Sequence, residues 1–407
     1  MGEYVKNSVI KKLFWVIFIL VVMLFFIINL NLFLRQARAP RDGSDGYFSD
    51  IHFYVDAIEG IDNGDDYTYP IFFALSKIAS NYTSTSSAVA LVAALLNSLS
   101  CLVLGAFFYC SLKNSIDKKS IYYLAVLLLP LVMMIVSMVF LPSKYELPGV
   151  TNRYMGIFTP NPWHNHTYFA ARPMAIIAYL AYREIIKKYK ENISVWLLGC
   201  FSLSLVLTTL TKPSFTLAFG SAAFLVWLFN LKKIRNTVMV GMAFLPTVAV
   251  LAYQYIWGPF GSHSSQGENA GIGFSVGYIW SLYCENIPLA IVLALFFPIV
   301  VMLFNTKELW KNVTYRFSVL FAMVSSLEFL VLYEKGTRFW HANFAWGYMY
   351  GIFFAILEAV ILVLDNMINK KNNILVVSIE WLALLMHVVC GITYFLFIFK
   401  GGSYLTF

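Results

Sequence analysis

Asp50 and Asp56 share one helical-looking segment, SDIHFYVDAIEG, just beyond the first long apolar run. A carboxylate at such a boundary can act as a general base if a hydroxyl comes within hydrogen-bond reach. His52 lies between them. A second polar group, TPNPWHNHTYFAARP, presents His164 and His166 from a turn stiffened by Pro160 and Pro162. Two histidines at i, i+2 share a metal only on extended backbone and with a third ligand such as Glu146, so hydrogen bonds to sugar hydroxyls or phosphate are the better use. Arg172, one turn into the next apolar run, is costly to place unless it faces a bundle interior or a water-filled cavity. Lys212, in TLTKPSF between two apolar runs, invites the same argument, with a snorkelling lysine as the bland alternative. The segment YEKGTRFWHANFAWGYMYG collects Glu334, Lys335, Arg338, His341 and Asn343 beside Trp340 and Trp346. Arginine grips phosphate through a bidentate fork, which makes Arg338 a phosphate candidate.

The elements that must position these residues are apolar. The chain has 407 residues, 60% hydrophobic and 12% charged, with a mean hydropathy of +0.71. Soluble domains carry about 25% charged residues, so most of this surface is expected to face lipid. Stretches near the ~20 residues that cross a bilayer occur at 12–34, 86–112, 120–141, 168–186, 194–210, 214–231, 237–257, 286–305, 315–334, 344–366 and 374–399. The expected fold class is therefore an all-α integral membrane protein, one polytopic domain over 1–407 with about eleven transmembrane helices. The first run is longer than the apolar region of a signal peptide and no small-residue cleavage site follows it, so it reads as a retained anchor. With the N-terminus in the cytoplasm, each short loop on that side is basic, from Lys11 and Lys12 to Lys370 and Lys371, as the positive-inside rule requires. The C-terminus then lies outside. The net charge of +8 is a topology signal on this reading and implies no nucleic-acid partner. The five cysteines form no CxxC or Cys/His cluster, which favours neither disulfides nor zinc.

The diverse polar residues fall on the outer side. In the first outer loop, 35–85, Pro40, Gly43 and Gly46 read as irregular chain. From Ser49, a candidate cap, Ile51, Val55 and Ile58 recur at helical spacing, with His52, Asp56 and Glu59 one residue out of phase. A second apolar segment, Tyr69–Ile78, follows an acidic turn at Asp62, Asp65 and Asp66. Two short helices lying along the membrane surface account for this pattern. The loop 258–285, rich in Gly and Ser, is expected to be mobile and suited to a substrate lid; it lacks the strand and spacing of a nucleotide motif.

One basic-in helix, an outer loop bearing Asp50 and Asp56 followed by YTYPIFFALSKI, and many later spans together resemble the GT-C superfamily of integral membrane glycosyltransferases. The resemblance covers architecture over most of the chain and a loose motif over about thirty residues. It implies a polyprenyl-phosphate-sugar donor, a glycan or lipid acceptor on the outer face, and inverting transfer with Asp50 or Asp56 as base. It implies also that Arg338, Arg172 or Lys212 holds the lipid phosphate; beside them, His52, His164, His166 and His341 are read as substrate-binding candidates from their own placement. No paired acidic motif stands where a metal-dependent member would carry one, so no metal cofactor is expected. The charge bias and compactness point to a bacterial plasma membrane.

A competing class is a transporter or flippase of lipid-linked glycans, for which Glu328, Glu358, Glu380 and His387 inside expected spans would form a proton path. A polysaccharide polymerase or ligase would share most of the outer site.

Overall fold

The computed structural model describes residues 2–61, 69–113, 119–142, 145, 147–257, 271–336 and 339–407. In hydrocarbon every backbone N–H and C=O needs a partner within the protein, which drives the apolar runs into helices. The first half comprises α1 (Gly2–Arg38), α2 (Ile51–Glu59), α3 (Pro70–Ser80), α4 (Thr85–Leu112), α5 (Lys119–Ile135), α6 (Arg153–Ile157) and α7 (His166–Lys187). The second comprises α8 (Val195–Thr211), α9 (Ser214–Phe229), α10 (Ile234–Trp257), α11 (Tyr278–Ser281), α12 (Ile287–Ala294), α13 (Phe296–Phe304), α14 (Glu308–Lys311), α15 (Val313–Val331), α16 (Ala345–Ile368) and α17 (Ile374–Phe399).

Among the described residues, six helices are long and apolar enough to cross a membrane, and the bent pair α12–α13 makes a possible seventh. The segments α3, Ser120–Ile135, α8 and α9 are apolar but only 10–17 residues long. This is a helical protein suited to a membrane, with fewer full-length crossings by length and composition than the eleven apolar stretches suggest.

The helices α7 and α16 are buried on nearly every face and form the centre. Around α7 pack α4 and α8, while α15 and α9 pack on α16. Far from α7's first turn, Arg183 Nε donates to Glu358 Oε1 at 2.6 Å, and Thr314 Oγ1 donates to Glu358 Oε2 at 3.1 Å. One buried carboxylate therefore ties α7, α15 and α16 together.

Two expected spans are interrupted. The stretch 120–141 is helical only to Ile135; residues 136–142 run on without helix. The stretch 286–305 is bent by 75° between α12 and α13. Pro298 explains the bend, because it has no N–H to donate to Ala294. Both interruptions are met by α17. His387 Nδ1 lies 2.5 Å from the Ser137 carbonyl, and its Nε2 accepts the Phe297 N–H at 3.1 Å. Ser137 N–H in turn donates to the His387 carbonyl at 3.2 Å, and Val139 N–H to Leu293 at 3.0 Å. Gly391 permits the approach: a Cβ there would stand 1.8 Å from the Ile135 oxygen.

The fold is not purely helical. A strand β1 (Gly271–Phe274) pairs antiparallel with β2 (Leu332–Lys335), Gly271 opposite Lys335 and Phe274 opposite Leu332. The loop expected to be mobile over 258–285 is thus ordered from Gly271 onward; its earlier part lies outside the described residues.

Candidate functional site

The site is organised by the start of α7. Asn165 is its N-cap, and its Oδ1 accepts the Tyr168 N–H at 2.8 Å and the Thr167 hydroxyl at 3.0 Å. With the oxygen so engaged, the amide group must point the other way, where Nδ2 donates to Asp50 Oδ2 at 2.6 Å. The Asp50 N–H also donates to the His164 carbonyl at 3.1 Å, fixing the loop before α2 against the loop before α7.

Ser49 was the expected cap of α2. Asp50 takes the cap position, yet its side chain makes no capping bond; the carboxylate turns to Asn165. Burial pushes it up to about 6, against the counter-pull of Asn165, the Lys212 ammonium and Tyr54.

Lys212 enters from the junction of α8 and α9, where Pro213 ends one helix and opens the next. Its Nζ donates to Thr167 Oγ1 at 3.1 Å and sits 4.7 Å from the Trp346 ring centroid. Burial brings the amine down to about 8, while Asp50 and Glu334 hold it up. Glu334 accepts from Asn343 Nδ2 at 2.7 Å, and Asn343 Oδ1 from Trp346 Nε1 at 3.2 Å. Thr167 Oγ1 also lies 3.2 Å from the Tyr54 hydroxyl. The run Lys212–Thr167–Asn165–Asp50 therefore links cation and carboxylate through three hydrogen bonds.

The wall is aromatic. His164 stacks on Tyr404 at 3.6 Å and 16°, and its Nε2 lies 3.3 Å from the Tyr154 hydroxyl. Burial depresses the His164 imidazole well below its usual range, so it is neutral. Burial and neighbouring Tyr394, Tyr404 and Asp50 raise the Tyr154 phenol.

The other sequence candidates lie elsewhere. Asp56 is held by Arg41 in a two-pronged pair at 2.7 and 2.5 Å, which occupies both carboxylate oxygens. His52 is half-buried near that pair, lowered by burial and by Arg41. His166 engages Gln36 Oε1 through Nε2 at 3.1 Å, and Gln36 Nε2 donates to Trp163 at 3.0 Å, a packing role. Arg172 is fully buried; it donates to the Asn161 and Asn97 side-chain oxygens and covers Phe169 at 4.7 Å. Asn161 also binds the Met133 and Val136 carbonyls at 3.1 and 2.8 Å, so Arg172 braces the unwound end of α5. His341 is exposed, edge-on to Trp340 at 4.2 Å. Arg338, Glu146 and the acidic turn Asp62, Asp65 and Asp66 lie outside the described residues.

Thr167, Tyr54 and Tyr404 join the cluster without having been singled out in the sequence, whereas Glu334 and Trp346 stood in the polar segment already noted. Asn165, between the two histidines, carried the signal of an asparagine just before a helical run. Among the described residues no three His, Cys, Asp or Glu side chains converge as a metal set. The arrangement gathers a carboxylate ionised at neutral pH, an ammonium able to meet an anion, and aromatic ring faces into one cluster. Comparison with family models, with curated proteins and with solved structures gave no match.

Proposed function

We propose that the protein is a membrane glycosyltransferase of GT-C type, moving a sugar from a polyprenyl-phosphate donor to a glycan or lipid acceptor on the outer face. The observation that carries this reading is the convergence of Asp50 and Lys212 on Thr167 and Asn165 in one hydrogen-bonded cluster flanked by aromatic rings. Asp50, in place of the arginine-bound Asp56, is the base. It takes the acceptor hydroxyl proton as the oxygen bonds to the anomeric carbon; the bond from that carbon to the phosphate oxygen breaks, with inversion. The polyprenyl phosphate departs with the bonding electrons, and the Lys212 ammonium stabilises its charge. The reading includes eleven crossings of a bacterial plasma membrane, with the first helix entering from the cytoplasm. Members of the superfamily carry their acid in the first outer loop, where Asp50 lies.

The test is release of free polyprenyl phosphate by protein in lipid offered a panel of polyprenyl-phosphate sugars. Parent and Asp56→Asn should turn over, Asp56→Asn at a reduced rate at most, and Asp50→Asn should not. Full turnover in Asp50→Asn would remove the base assignment.

One observation favours a second reading, transport of lipid-linked glycans. The two interrupted helices meet at His387 inside the bundle, and broken helices commonly mark transporter sites. Movement of the same lipids across liposomes without release of polyprenyl phosphate would select it.

A further inference from the structure

The end of the bundle remote from Asp50 carries a built cationic surface. Helix α7 runs 22 residues from the site to Lys187, roughly 30 Å at 1.5 Å per residue, about the thickness of a bilayer's hydrocarbon core. There the α7–α8 loop and the α9–α10 loop are knitted together. Asn236 Nδ2 donates to the carbonyls of Tyr189 and Glu191 at 2.8 and 2.7 Å. Arg235 Nη1 reaches Asn192 Oδ1 at 3.4 Å, and Trp227 Nε1 donates to the Thr237 carbonyl at 2.8 Å.

These bonds fix the backbone that presents Lys188, Lys190, Lys232, Lys233 and Arg235, all exposed. Among the described residues no carboxylate pairs with any of the five; the nearby Glu184 is taken by Lys187 at 2.7 Å and by Arg183 at 3.2 Å. Flanking the cations in sequence are Trp196, Phe229 and Ile234, exposed by 90%, 86% and 73%. Fixed cations above an apolar rim match a phosphate group joined to acyl chains.

We propose that this surface binds an anionic phospholipid of the bilayer, its phosphate between the two lysine pairs and its chains along Trp196, Phe229 and Ile234. The proposal is independent of what happens at Asp50. Each lysine near an anionic headgroup contributes about five-fold in occupancy, so the site discriminates by headgroup charge.

The experiment exposes purified protein to an equimolar mixture of phosphatidylglycerol and phosphatidylcholine and counts retained lipids by native mass spectrometry. The parent should retain phosphatidylglycerol with at least about five-fold preference. The variant Lys188→Gln/Lys190→Gln/Lys232→Gln/Lys233→Gln, which retains Arg235, should lose at least about five-fold of the parent's preference, whereas Lys307→Gln/Lys311→Gln keeps it. Parity in the parent, or an undiminished preference in the fourfold variant, would overturn the proposal. If the fourfold variant melts early in phosphatidylcholine, a salt titration of the parent decides: the preference must decline as ionic strength rises, and a salt-insensitive preference overturns the proposal.

Discussion

Replacing Asp50 by asparagine probes the site through stability, with no assumption about substrate. Burial raises the Asp50 carboxyl from its ordinary value of 3.8 to about 6 in the folded protein. The difference of about 2 pKa units corresponds to ~3 kcal/mol at 1.36 kcal/mol per unit. Because the folded value is raised, the folded state holds the proton more tightly than the unfolded chain does. The associated stability is complete below about pH 3.8 and is lost as pH rises through about 6. Asparagine carries no such cost, although it loses part of its fit to Asn165, a hydrogen bond worth about 1 kcal/mol. Denaturation in detergent should therefore find Asp50→Asn near or slightly below the parent at pH 4. At pH 8 the variant should be more stable by about 2 kcal/mol. The comparison variant Asp56→Asn loses a pair whose arginine side chain is 59% exposed, and should cost no more than about 1 kcal/mol. A loss of stability in Asp50→Asn that is the same at pH 4 and pH 8 would refute the reasoning, since it would mean that the carboxylate is not strained by burial.

Transfer should follow a bell in pH, falling below about 6 as Asp50 gains a proton and above about 8 as Lys212 loses one. In Lys212→Arg the alkaline limb should move upward by more than a unit, because guanidinium keeps its charge; an unmoved limb assigns it to another group. Glu358→Ala removes the buried partner of the Arg183 guanidinium and leaves it only the part-exposed Glu184, which should destabilise the bundle by about 1.5–3 kcal/mol, read as a lowered melting temperature in detergent. A melting temperature within error of the parent would show that the pair is neutral to stability.

The legible parts of this fold were those written in local pattern. Ile51, Val55 and Ile58 predicted a surface helix, and α2 spans Ile51–Glu59. The apolar runs located most of the helices. Periodicity reports which residues avoid water, and a buried extended segment avoids it as thoroughly as a helix does. Hence the interruption after Ile135 left no trace in composition, and the strand pairing of Gly271–Phe274 with Leu332–Lys335 depended on residues some sixty positions apart. The site was half visible. Asp50 and Lys212 stood out as charged residues in costly places, but choosing Asp50 over Asp56 required the position of Arg41. The partners that hold Arg172 inside the bundle, Asn97 and Asn161, are unremarkable residues from distant segments and could not be read from its own neighbourhood.

The meeting of α17 with the unwound chain after α5 bears on the order of assembly. Ser137 and His387 are 250 residues apart, so at synthesis rates of about 5–20 residues per second the Ser137 carbonyl waits roughly 10–50 s for its imidazole. During that interval Ser137 and Phe140 lack the partners that α17 supplies, although Asn161 can already hold the Val136 carbonyl. The segment must either remain helical and refold late or shelter in the insertion machinery. Closure of the two interruptions therefore waits on α17: a chain released before His387 lacks the imidazole that joins Ser137 to the bend at Phe297.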